Sequence, residues 1–158
     1  MERSILYAGN TEPIVYPEIR KTKYTKDFSW GFYCTRARAY AYRTAFRRGK
    51  IGVLNCYSFL DNGCLNILKF EEMNDEWLDF VGGCRRGYVH DYDIVEGPMV
   101  DDTIWDYVNE FFADRIDRET FWLNVLDKQP AIQLSFHTLS AIDCLTYEGS
   151  EQVVGENG

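Results

Sequence analysis

Apolar and polar positions change period several times along the chain, and each change marks an expected element. Ser4-Ile5-Leu6-Tyr7-Ala8 is a short run of β-formers closed by the turn pair Gly9-Asn10, which predicts a first strand. Residues 11–30 carry two prolines and the basic stretch Arg20-Lys21-Thr22-Lys23, and read as loop. Gly31 to Thr35 is a second short strand. Arg36 to Arg48 contains no Pro or Gly, repeats Ala at 37, 39, 41 and 45, and meets Gly49, so a helix is expected there. Ile51 to Leu60 is a third strand, and Asp61-Asn62-Gly63 is a hairpin turn that would return Leu65 to Phe70 as its partner. Asn74 can cap a helix with Trp77, Leu78, Val81 and Cys84 on one face. Tyr88 to Val95 reads as a strand stopped by Gly97-Pro98.

The strongest periodicity follows. Ile104, Tyr107, Val108, Phe111 and Phe112 fit an amphipathic helix at i, i+3, i+4, i+7 and i+8, with a cap among Asp101, Asp102 and Thr103. Asp117 caps another helix bearing Phe121, Trp122, Val125 and Leu126. Ala131 to His137 is a strand, then comes a short helical piece, then Cys144 to Glu148 as a last strand. Strands and helices mix without strict βαβ alternation. The expectation is a single α+β domain over residues 1–148, with a mostly antiparallel or mixed sheet, flanking helices and a frayed acidic tail over 149–158.

Composition narrows the picture. At 158 residues and 46% hydrophobic, the chain is long enough for one real core, and 16% aromatic residues argue against disorder. No apolar run approaches the roughly 18 residues of a membrane span. Met1-Glu2-Arg3-Ser4 shows no secretory pattern, so a cytoplasmic protein with no membrane partner is expected. Five cysteines, an odd number without a C-x-x-C pair, read as free thiols mostly buried in the core, and their spacing offers no zinc site. The net charge is −8, yet residues 20–50 hold ten of the 17 basic residues and one acid, Asp27. That segment is +9 and the remainder −17, which points to a local anion site or to a solvated basic face.

Most familiar catalytic signatures are missing: no G-x-S-x-G, P-loop, G-x-G-x-x-G or H-E-x-x-H occurs. His90 and His137 read as structural or surface residues. Asp91 and Asp93, on one face of a strand, and Asp101-Asp102 read as a solvent-facing edge and a helix cap in preference to a metal site, and no metal is expected.

The front of the chain carries more. Leu6-Tyr7-Ala8-Gly9-Asn10, then Asp27-Phe28-Ser29-Trp30-Gly31-Phe32-Tyr33-Cys34-Thr35, then an Arg- and Ala-rich helix, resembles the opening of ADP-ribosyltransferase domains. More specifically, the chain resembles the bacterial domain-of-unknown-function family 3990, an ADP-ribosyltransferase-like family. The resemblance continues through Glu76 to Phe80, Cys84-Arg85, Tyr92 to Met99, Asp101-Asp102 and Gln133 to Thr138.

The resemblance implies a split-sheet domain holding NAD, as substrate, in a cleft between two small sheets. It implies nicotinamide stacking on Tyr33, positioning by Tyr7 and Gly9, phosphate contacts from Arg36 and Arg38, and ribose orientation by Gln133. The activity implied is mono-ADP-ribosyl transfer to a macromolecular target, a protein before a nucleic acid, in a toxin–antitoxin or phage-defence setting with an antitoxin or other small partner protein. Two positions depart from the superfamily pattern: Ala8 stands where a histidine is expected, and Gln133 where a glutamate is usual. Ser29 stands where glycine is common. These departures raise the alternative of a catalytically degenerate NAD-binding or protein-interaction module, with Trp30, Tyr40 and Tyr42 as an exposed contact surface. A nucleic-acid binder using the basic segment ranks last.

Overall fold

A computed structural model describes residues 3–21, 26–46 and 51–154. Among these residues the chain forms seven strands and five helices. The strands are β1 (Arg3–Asn10), β2 (Phe32–Cys34), β3 (Ile51–Leu60), β4 (Ile67–Lys69), β5 (Ile94–Pro98), β6 (Ile132–Phe136) and β7 (Leu145–Val154). The helices are α1 (Arg38–Thr44), α2 (Asp75–Arg85), α3 (Asp102–Phe112), α4 (Arg118–Val125) and α5 (Leu139–Ile142). The expected α+β class holds.

The strands divide into two sheets. One has the order β1-β3-β7 and is antiparallel throughout; the other has the order β2-β6-β5-β4, with only β4 and β5 parallel. β3 is the centre of the first sheet and is buried on both faces from Gly52 to Phe59, apart from half-buried Cys56. Between the sheets lies a core of Leu6, Ala8, Phe32, Tyr57, Phe59, Leu134 and Phe136. The other face of the second sheet packs on α2, α3 and α4 through Phe28, Trp77, Leu78, Val95, Ile104, Val108 and Phe121. Trp77 ties these layers together: it is fully buried and its indole N–H donates to the Pro98 carbonyl at 2.8 Å.

The helix starts follow the sequence. Asn74, Asp101 and Asp117 each accept a backbone N–H three residues on, at 2.8 Å. Thr138 accepts the Ala141 N–H at the start of α5, at 3.2 Å. Each such cap contributes about 1 kcal/mol. α1 has no side-chain cap and begins two residues after the expected Arg36; its expected end at Arg48-Gly49 lies outside the described residues.

Several expectations are corrected. The segment expected to return beside β3 shortens to β4 and pairs parallel with β5 in the other sheet. Asp61 and Asn62 do make a tight turn, bonding the Gly63 and Cys64 amides at 2.8 Å, but the turn redirects the chain to the second sheet. The expected strand over 88–95 starts only at Ile94 and runs through Gly97-Pro98, because residues 90–92 turn locally, with the Tyr92 amide on His90 Nδ1. Asp93 is therefore off the strand; its carboxylate takes Asn66 N–H and the Thr138 hydroxyl. β7 runs past Gly149 to Val154 along β3, with a bulge opposite Cys56/Tyr57. Of the cysteines, only Cys34 and Cys84 are buried, and all five are free. Leu126 is 80% exposed, outside the core expected of α4. No helix among the described residues is long and apolar enough to cross a membrane.

Candidate functional site

The two sheets meet where Tyr7 and Thr35 exchange both backbone hydrogen bonds, at 2.8 and 2.9 Å. Beyond that bridge β1 continues under α1 while β2 ends, and the divergence opens a cavity of about 280 Å3. Its walls are Tyr7 to Gly9 from β1, Lys26 and Asp27 from the preceding loop, and Tyr33 to Thr35 from β2. Tyr40, Ala41 and Thr44 of α1, Arg85 of α2, Met99 and Val100 after β5, and Gln133 of β6 complete it.

Small residues bring α1 this close. A Cβ on Gly9 would lie 2.3 Å from the Ala41 carbonyl oxygen, and one on Gly52 would lie 2.1 Å from that of Ala45. Gly9 is thus needed for helix-on-sheet packing, a different reason from the ligand approach expected of it.

The loop before β2 sets the chemistry. Ser29 N–H donates to the Lys26 carbonyl at 3.1 Å, and Ser29 adopts φ +78°, the left-handed region that favours glycine. This turn aims the Ser29 carbonyl at Tyr33, whose hydroxyl donates to it at 2.6 Å and accepts Phe28 N–H at 3.0 Å. Phe28 packs near-parallel to the Tyr33 ring at 6.4 Å, and His137 meets it edge-on at the same distance. The ring is therefore fixed, and the Lys26 ammonium sits 5.0 Å over it. Burial pushes the Tyr33 phenol well above its ordinary range, so it stays a neutral aromatic surface.

Beside Tyr33 the turn inserts Asp27, 5% exposed. One carboxylate oxygen accepts from Arg85 Nε at 3.0 Å and from Arg85 Nη2. The other accepts Val100 N–H at 2.8 Å and Gln133 Nε2 at 3.1 Å. Arg85 in turn lies 4.2 Å over the Trp105 ring. Lys26, Asp27 and Arg85 give the lining one net positive charge.

The structure thus gathers Tyr7, Gly9, Tyr33 and Gln133 around one cavity, with Ala8 among its lining. It does not bring Arg36 and Arg38 to the lining. Arg36 Nε pairs with the buried Glu96 at 3.0 Å, and Arg38 pairs with Glu151. The lining cations are Lys26 and Arg85, which the sequence reading did not single out. Asp27 was missed too, although it is the lone acid of the basic segment. Trp30, Tyr40 and Tyr42 are half-buried and do not form the exposed surface expected of them; Tyr42 packs edge-on with Phe46, and Tyr40 lines the cavity.

A second polar cluster lies behind Tyr33. His137 Nδ1–H donates to the Trp30 carbonyl at 2.8 Å, which leaves Nε2 to accept the Ser135 hydroxyl at 2.6 Å. Ser135 has no exposed surface, so this serine–histidine pair is inaccessible to a substrate. His90 Nε2 donates to the Phe28 carbonyl at 2.8 Å. Among the described residues, no group of three His, Cys, Asp or Glu side chains is placed to hold a metal ion.

A family model described as a protein of unknown function, DUF3990, matches residues 4–147. The chain belongs to the DUF3990 family. The matched span takes in the whole lining of the cleft, including Tyr7, Asp27, Tyr33, Arg85 and Gln133, and ends inside β7. No curated protein and no solved structure matches this DUF3990 chain.

Proposed function

We propose that the cleft binds NAD through its nicotinamide–ribose half and that the protein is a mono-ADP-ribosyltransferase acting on a macromolecular target. The observation that carries this reading is the Tyr33 ring, fixed at both its hydroxyl and its back face and facing a cation in the cavity. A positively charged pyridinium ring is attracted to such a face by the same cation–π term and would take the place of the Lys26 ammonium there, which moves out toward the phosphates. The cavity, at the low end of the ~300–1,000 Å3 usual for ligand pockets, suits a nucleoside-sized fragment, with the remainder of NAD lying outward.

In this reading the one net positive charge of the lining, from Lys26 and from Arg85 paired with Asp27, faces the pyrophosphate, while Arg36 and Arg38 pair with carboxylates outside the lining. Gln133 accepts a ribose hydroxyl as the bond to nicotinamide breaks and positive charge develops on the sugar. Gln133 cannot remove a proton, so the acceptor on the target must arrive as a competent nucleophile. Transfer to a protein, and a place in a toxin–antitoxin or phage-defence pair, rest on the family resemblance alone.

A second reading is favoured by Ala8, which is 7% exposed and offers no polar group to the ribose. The same cleft would then bind NAD without turnover. Calorimetric titration with NAD tests both, using Tyr33→Phe and Tyr33→Ala as paired variants and the circular dichroism spectrum as the check on folding. Binding that survives in Phe and disappears in a folded Ala variant supports the site; equal binding by all three forms refutes it. Nicotinamide release by the binding-competent forms separates transferase from binding module.

A further inference from the structure

We infer that Asp27 is the positioning carboxylate of the cleft: it holds the side-chain amide of Gln133 so that the glutamine carbonyl faces the ligand, and its presence is why glutamine stands at position 133. This inference rests on the reading of the cleft as a ribose site. It does not follow from that reading, since Asp27 lies outside every role the resemblance assigned.

The geometry leaves little freedom. A carboxylate only accepts hydrogen bonds, so the Gln133 group 3.1 Å from Asp27 is its NH2, and Oε1 is the atom left for a ligand donor. The flipped amide would set a carbonyl oxygen against an anion. Asp27 itself takes four donors, two from Arg85, one from Val100 N–H and one from Gln133, and is 5% exposed. Those four occupy the roughly four lone-pair positions of a carboxylate, so Asp27 has no capacity left to act as a base.

A glutamate at position 133 would bring a second carboxylate against Asp27, with Arg85 already engaged. Two carboxylates at hydrogen-bond distance cannot both ionise cheaply, and one takes up a proton at raised pH. The other groups facing the pair do not blur this. From α2 come Arg85 and Cys84, whose thiol is pushed up to about 12 by burial. β2 contributes the Tyr33 phenol, also raised by burial. The adjoining loop contributes Lys26, and β5 carries Glu96, paired with Arg36. On β6 itself the serine–histidine pair includes His137, pushed down to about 4. Between pH 6 and 8 none of the three shifted groups, Cys84, Tyr33 and His137, changes charge.

The full chain is compared as wild type, Gln133→Glu and the exchange variant Asp27→Asn/Gln133→Glu. All three are first checked for cooperative melting. Without ligand, the side-chain carboxyl of Gln133→Glu is titrated by 13C NMR. The expected midpoint lies at least about one unit above the ordinary ~4.3 of glutamate and returns toward it in the exchange variant. An ordinary midpoint in the single variant overturns the inference.

Calorimetry with NAD at pH 8 and pH 6 follows. Gln133→Glu is expected to bind roughly tenfold more weakly than wild type at pH 8, to recover at pH 6 in proportion to the protonated fraction that its titrated midpoint gives, and to be rescued at pH 8 by the exchange. Wild-type affinity of Gln133→Glu at both pH values overturns the inference. Failure of the wild type to bind NAD would instead remove the proposed function, and the ligand-free titration then decides the role of Asp27 by itself.

Discussion

Acidifying the protein through the histidine range should cost it stability, and His137 should account for most of the loss. Its ring is enclosed between Tyr33, Ser135 and His90, with the His90 ring centroid 4.3 Å away. Burial, and secondarily the neighbouring His90, pushes its pKa down to about 4 from 6.5. In the unfolded chain the same imidazole takes its proton near pH 6.5, so between those values the unfolded state binds more protons than the folded one. Stability is therefore complete above about pH 6.5 and is lost as pH falls toward 4. The gap of about 2.5 units corresponds to about 3 kcal/mol. That is a large part of the 5–15 kcal/mol typical of a whole domain. Urea unfolding at pH 7.5, 6.5, 5.5 and 4.5 measures the slope directly. His137→Asn keeps a donor for the Trp30 carbonyl and removes the titrating group. It should be less stable at pH 7.5 yet clearly flatter with pH, retaining only the smaller contribution of His90, whose pKa burial also lowers. The approach to the sequence pI of 4.8 reduces self-repulsion and works in the opposite direction, equally in both proteins. If His137→Asn keeps the full wild-type slope, the histidine is not the cause.

Other substitutions probe the frame of the cleft. Ser29→Gly should raise stability by about 1 kcal/mol in chemical unfolding, because it relieves a left-handed backbone on a non-glycine residue. Gly9→Ala drives a methyl into the Ala41 carbonyl and should cost about 2 kcal/mol while weakening any ligand that bridges β1 and α1; melting and calorimetry read the two effects. Arg36→Gln leaves the buried Glu96 carboxylate without its cation and should destabilise by about 1–3 kcal/mol at neutral pH, read by chemical unfolding. Trp77→Ala should cost at least about 3 kcal/mol, since it empties the largest buried side chain and frees the Pro98 carbonyl.

The parts of this fold that were legible in the sequence are those governed by neighbours along the chain. Asn74, Asp101 and Asp117 announce helix starts because a cap bonds an amide three residues away. Ile51–Leu60 reads correctly because it is rich in apolar and aromatic residues, among them Ile51, Val53, Tyr57 and Phe59, and no proline interrupts it. β4 was misplaced for the opposite reason. Asp61-Asn62-Gly63 specifies a turn, and a turn contains no information about which sheet receives the next strand. Similarly, Tyr88 to Asp93 has strand-like composition, but His90 satisfies the Tyr92 amide with its own ring and so withdraws it from any ladder. At the cleft, Tyr33 and Gln133 entered through the family resemblance, and no local pattern singles them out. Asp27 acquires its meaning only from Gln133, 106 residues later, and from Arg85, 58 residues later. Arg36 and Arg38 were the misleading signal: a local cluster of cations says nothing about the carboxylates that Glu96 and Glu151 bring to it.

The sheet order β1-β3-β7 also bears on how the molecule is made. β3 receives its second neighbour from residues 145–154, so Gly52 waits for Val153 across about a hundred intervening residues. During synthesis β1 and β3 exist as a lone pair of strands with one long open edge, and such pairs are only marginally stable in water. Contacts of this sequence separation close slowly because the loop entropy must be met before they form. The floor beneath α1, and with it one wall of the cleft, is therefore among the last parts to become permanent. A ribosome-bound chain lacking β7 carries a sticky β-edge and an unfinished cleft, which ties the onset of any activity to completion of the strand drawn from the far end.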